Sequence, residues 1–100
     1  MKYSIEKFKG DIKECINLCN VELNNRRNGI NGESTIGQLE EVVIPELNKL
    51  LKIEQDDLPP TENRFLDSFA SAFKDWGWNM RKPTKLYVML LHLDVSYKKL

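Results

Sequence analysis

The strongest constraint on the fold is a helix-start signal at Thr35, followed at once by apolar residues at helical spacing. Thr35 and Gln38 match a capping box, in which the threonine hydroxyl accepts the Gln38 N–H and the glutamine side chain reaches back to the Thr35 N–H. Apolar residues then recur every three or four positions, at Leu39, Val42, Val43, Leu47, Leu50 and Leu51. This spacing predicts a helix from about Ile36 to Ile53 with one apolar face.

Pro45 lies well inside this helical pattern. Proline has no backbone N–H and its ring clashes with the preceding turn, so we expect a kink near Glu41 to Ile44. Apolar side chains continue at helical spacing on both sides of Pro45, which favours a kinked helix over termination at the proline. The segment from Gln55 to Pro60 ends the helix, because the residue before each proline is pushed out of the helical region.

Three further helices are predicted. The first runs from about Ser4 to Asn24 and repeats apolar residues at Ile5, Phe8, Ile12, Cys15, Ile16, Cys19 and Leu23. The third begins after Thr61 as N-cap, with an aromatic stripe formed by Phe65, Leu66, Phe69, Ala70, Phe73 and Trp76. Gly77 suits a left-handed residue after this helix, with Trp78 contacting Phe73. The fourth opens at Pro83–Thr84 and carries Leu86, Leu90, Leu93, Tyr97 and Leu100.

Strand-type alternation is absent, so the predicted fold is all-α, a single four-helix domain over residues 1–100. The composition, 41% hydrophobic and 30% charged, is that of a folded globular chain rather than a disordered one. No apolar run approaches the length of a membrane span, and the charged start has no apolar core typical of a signal peptide. We therefore expect a cytoplasmic protein without a membrane partner. The balanced net charge argues against a nucleic-acid partner, since a nucleic-acid-binding domain is expected to be basic.

The formal net charge is zero, but it is unevenly distributed along the chain. Residues 33–67 contain nine Asp/Glu and three Lys/Arg, whereas residues 68–100 contain two and six. Such an acidic segment is either a solvated surface or a surface that recognises a basic partner. The second interpretation predicts a partner-binding site at Glu33, Glu40, Glu41, Asp56, Asp57 and Glu62.

Candidate chemical groups are few. Cys15 and Cys19 lie four residues apart in a helical pattern, a poor geometry for a disulfide, and are expected to be reduced core thiols. His92 is the only histidine, and a zinc site would need a second ligand pair that the sequence lacks. Trp76 and Trp78, with Arg81 and Lys82 close behind, are better explained by packing than by nucleic-acid binding. No catalytic residue, cofactor or metal is predicted, and enzymatic activity is not expected.

Four segments of the chain carry a family resemblance. They are Ser34-Thr35-Ile36-Gly37-Gln38-Leu39-Glu40, Pro45-Glu46-Leu47, Leu58-Pro59-Pro60 and Phe73-Lys74-Asp75-Trp76-Gly77-Trp78. Over about residues 34–80 the chain resembles small all-helical bacterial immunity proteins, which are encoded beside secreted or contact-dependent toxins. The resemblance implies a cytosolic inhibitor that binds a toxin domain. It carries over no binding residues, because the matching positions are caps and helix breakers.

The function expected from the sequence is therefore a non-enzymatic inhibitor that occludes a toxin domain with a basic surface. Two alternatives remain open. A self-associating scaffold or regulatory subunit is favoured if the stripe Leu86, Leu90, Leu93 and Tyr97 stays exposed in the monomer. A small metal-dependent or thiol enzyme would use Cys15, Cys19 and His92. The oligomeric state is left open by the sequence.

Overall fold

The computed structural model describes residues 4–100, which form helices and turns without a strand. The helices are α1 (Ile5–Arg27), α2 (Ile36–Gln38), α3 (Ile44–Leu51), α4 (Asp67–Lys74) and α5 (Lys85–Lys98). A π-helical segment, Leu39–Val43, joins α2 to α3, so residues 36–51 form one continuous helical rod. With that rod counted once, the domain has four helical rods, which confirms the predicted all-α fold. The predicted lack of a signal peptide rests partly on residues 1–3, which lie outside the described residues.

Helix α1 begins where the sequence predicts and is the central packing element. The Ser4 hydroxyl caps it by accepting the Lys7 N–H at 3.2 Å. The predicted apolar face is buried at Phe8, Ile12, Cys15, Cys19 and Leu23. This face packs against both α3 and α5, because its residues recur on one side of the helix.

The predicted capping box is present at the start of the helical rod. Thr35 Oγ1 accepts the Gln38 N–H and Gln38 Oε1 accepts the Thr35 N–H, both at 3.1 Å. The backbone then widens into the π-helical segment before α3 begins, with Pro45 in the first turn of α3. A π turn is a local distortion of the helix at the position where proline removes a backbone donor. A kink at Pro45 itself stays a prediction.

The predicted start of the third helix is wrong. Thr61 opens only a 3₁₀ turn, Thr61–Asn63, and the chain runs extended through Leu66 before α4 begins at Asp67. The first backbone N–H groups of α4 donate to side-chain carboxylates of α3 and α5, so this helix does not need a local N-cap. Phe65 therefore precedes α4 and is 50% exposed, and Phe73, within α4, is 54% exposed, so neither belongs to a buried stripe.

Gly77 adopts the predicted left-handed conformation, with φ of 67°. The Trp78 N–H donates to the Ala72 carbonyl at 3.0 Å rather than to Phe73, because α4 ends early and its last turn is wide. The Trp78 ring is buried and meets Tyr87 edge-on, with the ring centroids 5.5 Å apart. Residues 77 and 78 therefore turn the chain and anchor it on α5.

Helix α5 closes the core. The Thr84 hydroxyl caps it by accepting the Tyr87 N–H at 3.1 Å, at the predicted position. Its predicted apolar stripe is buried, at Leu86, Leu90, Leu93 and Tyr97. Because these side chains complete the core of one chain, they are not available to hold two chains together.

Candidate functional site

The six predicted partner-binding residues do not form one cluster. Glu33, Glu40 and Glu41 lie at or before the start of the helical rod, and Asp56, Asp57 and Glu62 lie in the loop that follows it. The ten residue steps from Glu41 to Leu51 advance the chain by about 15 Å along the rod. The acidic surface is therefore two surfaces separated by α3.

Glu33 is engaged within the fold. Its Oε2 accepts the backbone N–H of Asn79 at 2.8 Å, which ties the loop before α2 to the loop before α5. Its Oε1 and the Tyr87 hydroxyl are both buried and meet no hydrogen-bonding partner among the described residues. Burial raises the pKa of Tyr87 above its ordinary value, and the Glu33 carboxylate raises it further. Glu33 therefore has a structural role in joining two loops.

The other two acidic residues of this group differ from each other. Glu40 forms an ion pair with Arg27 of α1, and both side chains are exposed. Exposed pairs of this kind contribute about 0–1 kcal/mol, so Glu40 can exchange this partner for another at little cost. Glu41 is exposed and forms no ion pair with a described residue.

The second group lies in what we call the acidic loop, residues 54–62, which contains Glu54, Asp56, Asp57 and Glu62 and no basic residue. All four side chains belong to exposed residues. Of these four, only Glu54 forms an ion pair with a residue that the structure describes, with Lys9 Nζ at 3.7 Å from its Oε1. The acidic loop therefore presents a concentrated negative charge to solvent.

The acidic loop is braced at both ends. The Asp57 N–H donates to the Glu54 carbonyl at 2.9 Å, which closes a 3₁₀ turn. At the other end, Arg64 Nε donates to the Pro59 carbonyl at 2.8 Å. Pro59 and Pro60 restrict the backbone between these bonds. The backbone that carries these carboxylates is thus held on the surface by hydrogen bonds and by the two prolines.

A hollow of about 410 Å³ lies beside the acidic loop, between α3 and the start of α4. Its lining includes Ile53 just before the acidic loop and Asn63 just after it, together with Phe65 and Tyr97. Phe65 is half exposed there. Sequence reasoning missed this hollow because it placed Phe65 on a buried helical face.

Glu46 is an acidic residue of α3 with a structural role. Its Oε2 accepts the Asp67 N–H at 2.7 Å, and its Oε1 accepts the Ser68 N–H at 2.9 Å. These two donors are the first backbone groups of α4, so Glu46 caps that helix from a neighbouring one. It also lines the hollow beside the acidic loop.

The candidate groups for enzyme chemistry are not brought together. Cys15 and Cys19 are free and buried in the core, and a hydrogen bond from Cys19 together with burial raises the pKa of Cys15 far above its ordinary range. His92 lies on the surface with its Nε2 at 3.0 Å from Asp11 Oδ2. Within residues 4–100, no three side chains of the His, Cys, Asp and Glu types converge on a metal-sized site. A raised thiol pKa also disfavours the reactive thiolate.

Comparison with known protein families, curated proteins and solved structures returns no match for this chain. Within the described residues, no helix combines the length and the apolar character needed to cross a membrane.

Proposed function

We propose that this protein is a non-enzymatic inhibitor of the immunity type, which binds a toxin domain and occludes its working surface. The acidic loop is the part of the surface that meets the partner first. Four carboxylates within nine residues attract a basic partner and raise the rate of encounter by about 10 to 10³ at low salt. A substrate cleft that binds nucleic acid would supply the matching positive charge.

The observation that carries this proposal is the position of the acidic loop beside the hollow that contains Phe65. Charge alone speeds association but does not hold a complex together. Tight complexes depend on a few aromatic or aliphatic anchors seated in pockets, inside a polar rim. A half-exposed phenylalanine next to an adjoining hollow supplies such an anchor at the edge of the charged loop.

The condition that would favour a self-associating scaffold or regulatory subunit is not met. That condition was an exposed stripe of Leu86, Leu90, Leu93 and Tyr97, and these residues are at most 4% exposed.

The decisive experiment uses the protein encoded next to this chain. Its C-terminal domain is produced in a bacterial host with and without this chain, and growth is followed. We expect the domain alone to arrest growth, the chain to restore it, and the two proteins to form a complex that weakens as salt is raised. A domain that is harmless, or that stays toxic when this chain is present, would contradict the proposal.

Charge reversals then locate the interface on the purified complex. The double variant Asp56→Lys with Asp57→Lys should weaken binding by about tenfold or more at low salt, mainly through slower association. The matched variant Glu40→Lys with Glu41→Lys changes the net charge by the same amount and should weaken binding less. Equal losses of affinity in the two variants would show that only the overall charge affects binding. That result would contradict the placement of the acidic loop in the interface.

A further inference from the structure

The outward side of α5 carries aliphatic residues that remain exposed. Val88, Leu91 and Val95 are exposed by 50%, 38% and 43%. Their spacing of three and four residues places them on one side of the helix, opposite the residues that face the core. Helix α5 is therefore apolar on a buried side and again on an exposed one.

Part of this exposed side forms the wall of a groove between α1 and α5, which we call the α1–α5 trough. Its volume is about 480 Å³, and Leu18 of α1 faces Val88 and Met89 of α5 across it. A smaller hollow of about 170 Å³ shares Leu18 and Lys85 with it and extends it to Val21. The α5 residues of the trough, from Lys85 to His92, cover about 10 Å of helix axis, or two turns.

One end of the trough is basic. Lys85 lines the trough, and Arg81 and Lys82 come just before its lining residue Pro83. These three basic residues are exposed, and no acidic residue occurs between positions 76 and 93. Among the carboxylates on the α1 side, Glu14 is exposed one turn before Leu18, whereas Glu22 and Asp11 have nitrogen partners. Glu22 lies 2.6 Å from Arg26 Nη2, and Asp11 lies 3.0 Å from His92 Nε2. The trough thus combines apolar walls with an excess of positive charge at the start of α5.

We propose that the α1–α5 trough is a second interaction surface, which binds an amphipathic helix of a protein partner. The aliphatic side chains of that helix pack against Leu18 and Val88, and its acidic residues lie against residues 81–85. Two turns of helix fit the length of the trough, as in other helix-in-groove complexes. The small contact area indicates a weak, exchanging complex rather than a permanent one.

Charge complementarity favours this occupant over a second copy of the chain. A symmetric pairing of the α5 faces would bring Lys85 and its basic neighbours on one copy toward the same residues, or toward Lys98 and Lys99, on the other. Like charges placed together at an interface oppose association. The site shares no residue with the acidic loop, so it adds to the proposed inhibitor function and does not depend on it.

The test uses the full-length protein and two synthetic helical peptides of about 15 residues. Both peptides present leucines along one face, and they differ only in having glutamate or lysine at the flanking positions. We expect the glutamate peptide to bind, in fluorescence anisotropy and in amide shift changes confined to α1, residues 81–84 and α5. The lysine peptide should bind at least about tenfold more weakly because its charge repels residues 81–85. Equal binding of both peptides, or no binding of either, would overturn the proposal.

Two variants on the same helix serve as a matched pair. Val88→Asp places a charge inside the trough and should abolish peptide binding, whereas Val95→Asp adds the same charge outside its lining and should leave most of it. Both residues are exposed, so both variants should keep the fold, which circular dichroism checks. Equal losses would contradict the assignment to the trough. So would displacement of the peptide by anionic lipid vesicles, or a concentration-dependent dimer in sedimentation that Val88→Asp dissolves.

Discussion

One oxygen of the Glu46 carboxylate accepts two hydrogen bonds from Ser68, from its backbone N–H at 2.9 Å and from its hydroxyl at 2.6 Å. The other carboxylate oxygen accepts the N–H of Asp67. The first turn of α4 therefore begins on a charge supplied by α3. Since the orphan N–H groups of a helix start must be satisfied, this single side chain couples the position of one helix to that of another.

We expect Glu46→Ala to lower the free energy of unfolding by about 2–3 kcal/mol, because it leaves two N–H groups and the Ser68 hydroxyl without their acceptor. Urea denaturation followed by circular dichroism measures the loss. The control is Glu41→Ala on the same rod, which removes an exposed carboxylate without an ion pair and should change stability by no more than about 0.5 kcal/mol. Similar losses in both variants would show that Glu46 acts only through its charge.

The helix starts show why part of this fold could be predicted from the sequence and part could not. The caps at Ser4, Thr35 and Thr84 use partners three residues away, so the local sequence contains all the information. The start of α4 is set by Glu46 and by Asp94, whose Oδ1 accepts the Leu66 N–H at 2.9 Å. These partners lie 21 to 28 residues distant. Local propensity favoured a cap at Thr61, and tertiary hydrogen bonds overrode it.

Arg26 organises the polar loop after α1, and its removal provides a second prediction. Its guanidinium donates to the Ser34 carbonyl at 2.7 Å and to the Ile30 carbonyl at 2.8 Å, and it also pairs with Glu22. Because the Arg26 and Glu22 side chains are only 12% and 16% exposed, we expect Arg26→Ala to cost about 2–3 kcal/mol of unfolding free energy in thermal or urea denaturation.

The adjacent residue provides the control for Arg26. Arg27 forms an exposed pair with Glu40, so Arg27→Ala should cost about 0–1 kcal/mol. A complementary variant is Gly32→Ala, because a methyl group there would collide with the Arg26 guanidinium and displace it from the loop. If Arg26→Ala is as mild as Arg27→Ala, the loop does not depend on this network.

The candidate site illustrates a different limit of sequence reasoning. The charge count correctly located an excess of carboxylates in residues 33–67. It does not distinguish a carboxylate that is bonded to another part of the fold from one that is exposed to solvent. Glu33 is engaged by Asn79 and Glu40 by Arg27, whereas Asp56 and Asp57 are exposed in a braced loop. That distinction arises from contacts between distant parts of the chain, and no local pattern encodes it.

The two cysteines give a third prediction. Both thiols are fully buried, and the pKa of Cys15 is raised by its hydrogen bond with Cys19 and by burial. Since the thiolate is the species that reacts, the folded protein should resist alkylation at neutral pH, whereas the urea-unfolded chain should react fully. Mass spectrometry after iodoacetamide treatment measures both. Labelling of the folded protein at the rate of the unfolded chain would contradict the buried, protonated state.

The fourth prediction concerns alkaline pH. The pKa of Cys15 is raised from its ordinary value of 9.0, and those of Tyr87 and Tyr97 from 10.0, all with burial among the causes. A group whose pKa is higher when folded holds its proton longer than in the unfolded chain. Its stabilising effect is therefore complete below the unfolded pKa and is lost as pH rises above it. The contribution of these three groups to the free energy of unfolding should be constant up to about pH 8 and should decrease above about pH 9.

Tyr87→Phe separates one of these contributions from the rest. The Tyr87 hydroxyl is buried without a partner among the described residues, so its removal should leave stability at neutral pH unchanged or slightly higher. The same change removes one ionisable group, so the free energy of unfolding should decrease less steeply at alkaline pH. Cys15 and Tyr97 still titrate and account for the decrease that remains. Urea denaturation of both proteins at pH values from neutral to alkaline measures the two slopes. A variant that is destabilised by more than about 1 kcal/mol at neutral pH would show that the hydroxyl does have a hydrogen-bonding role in the fold.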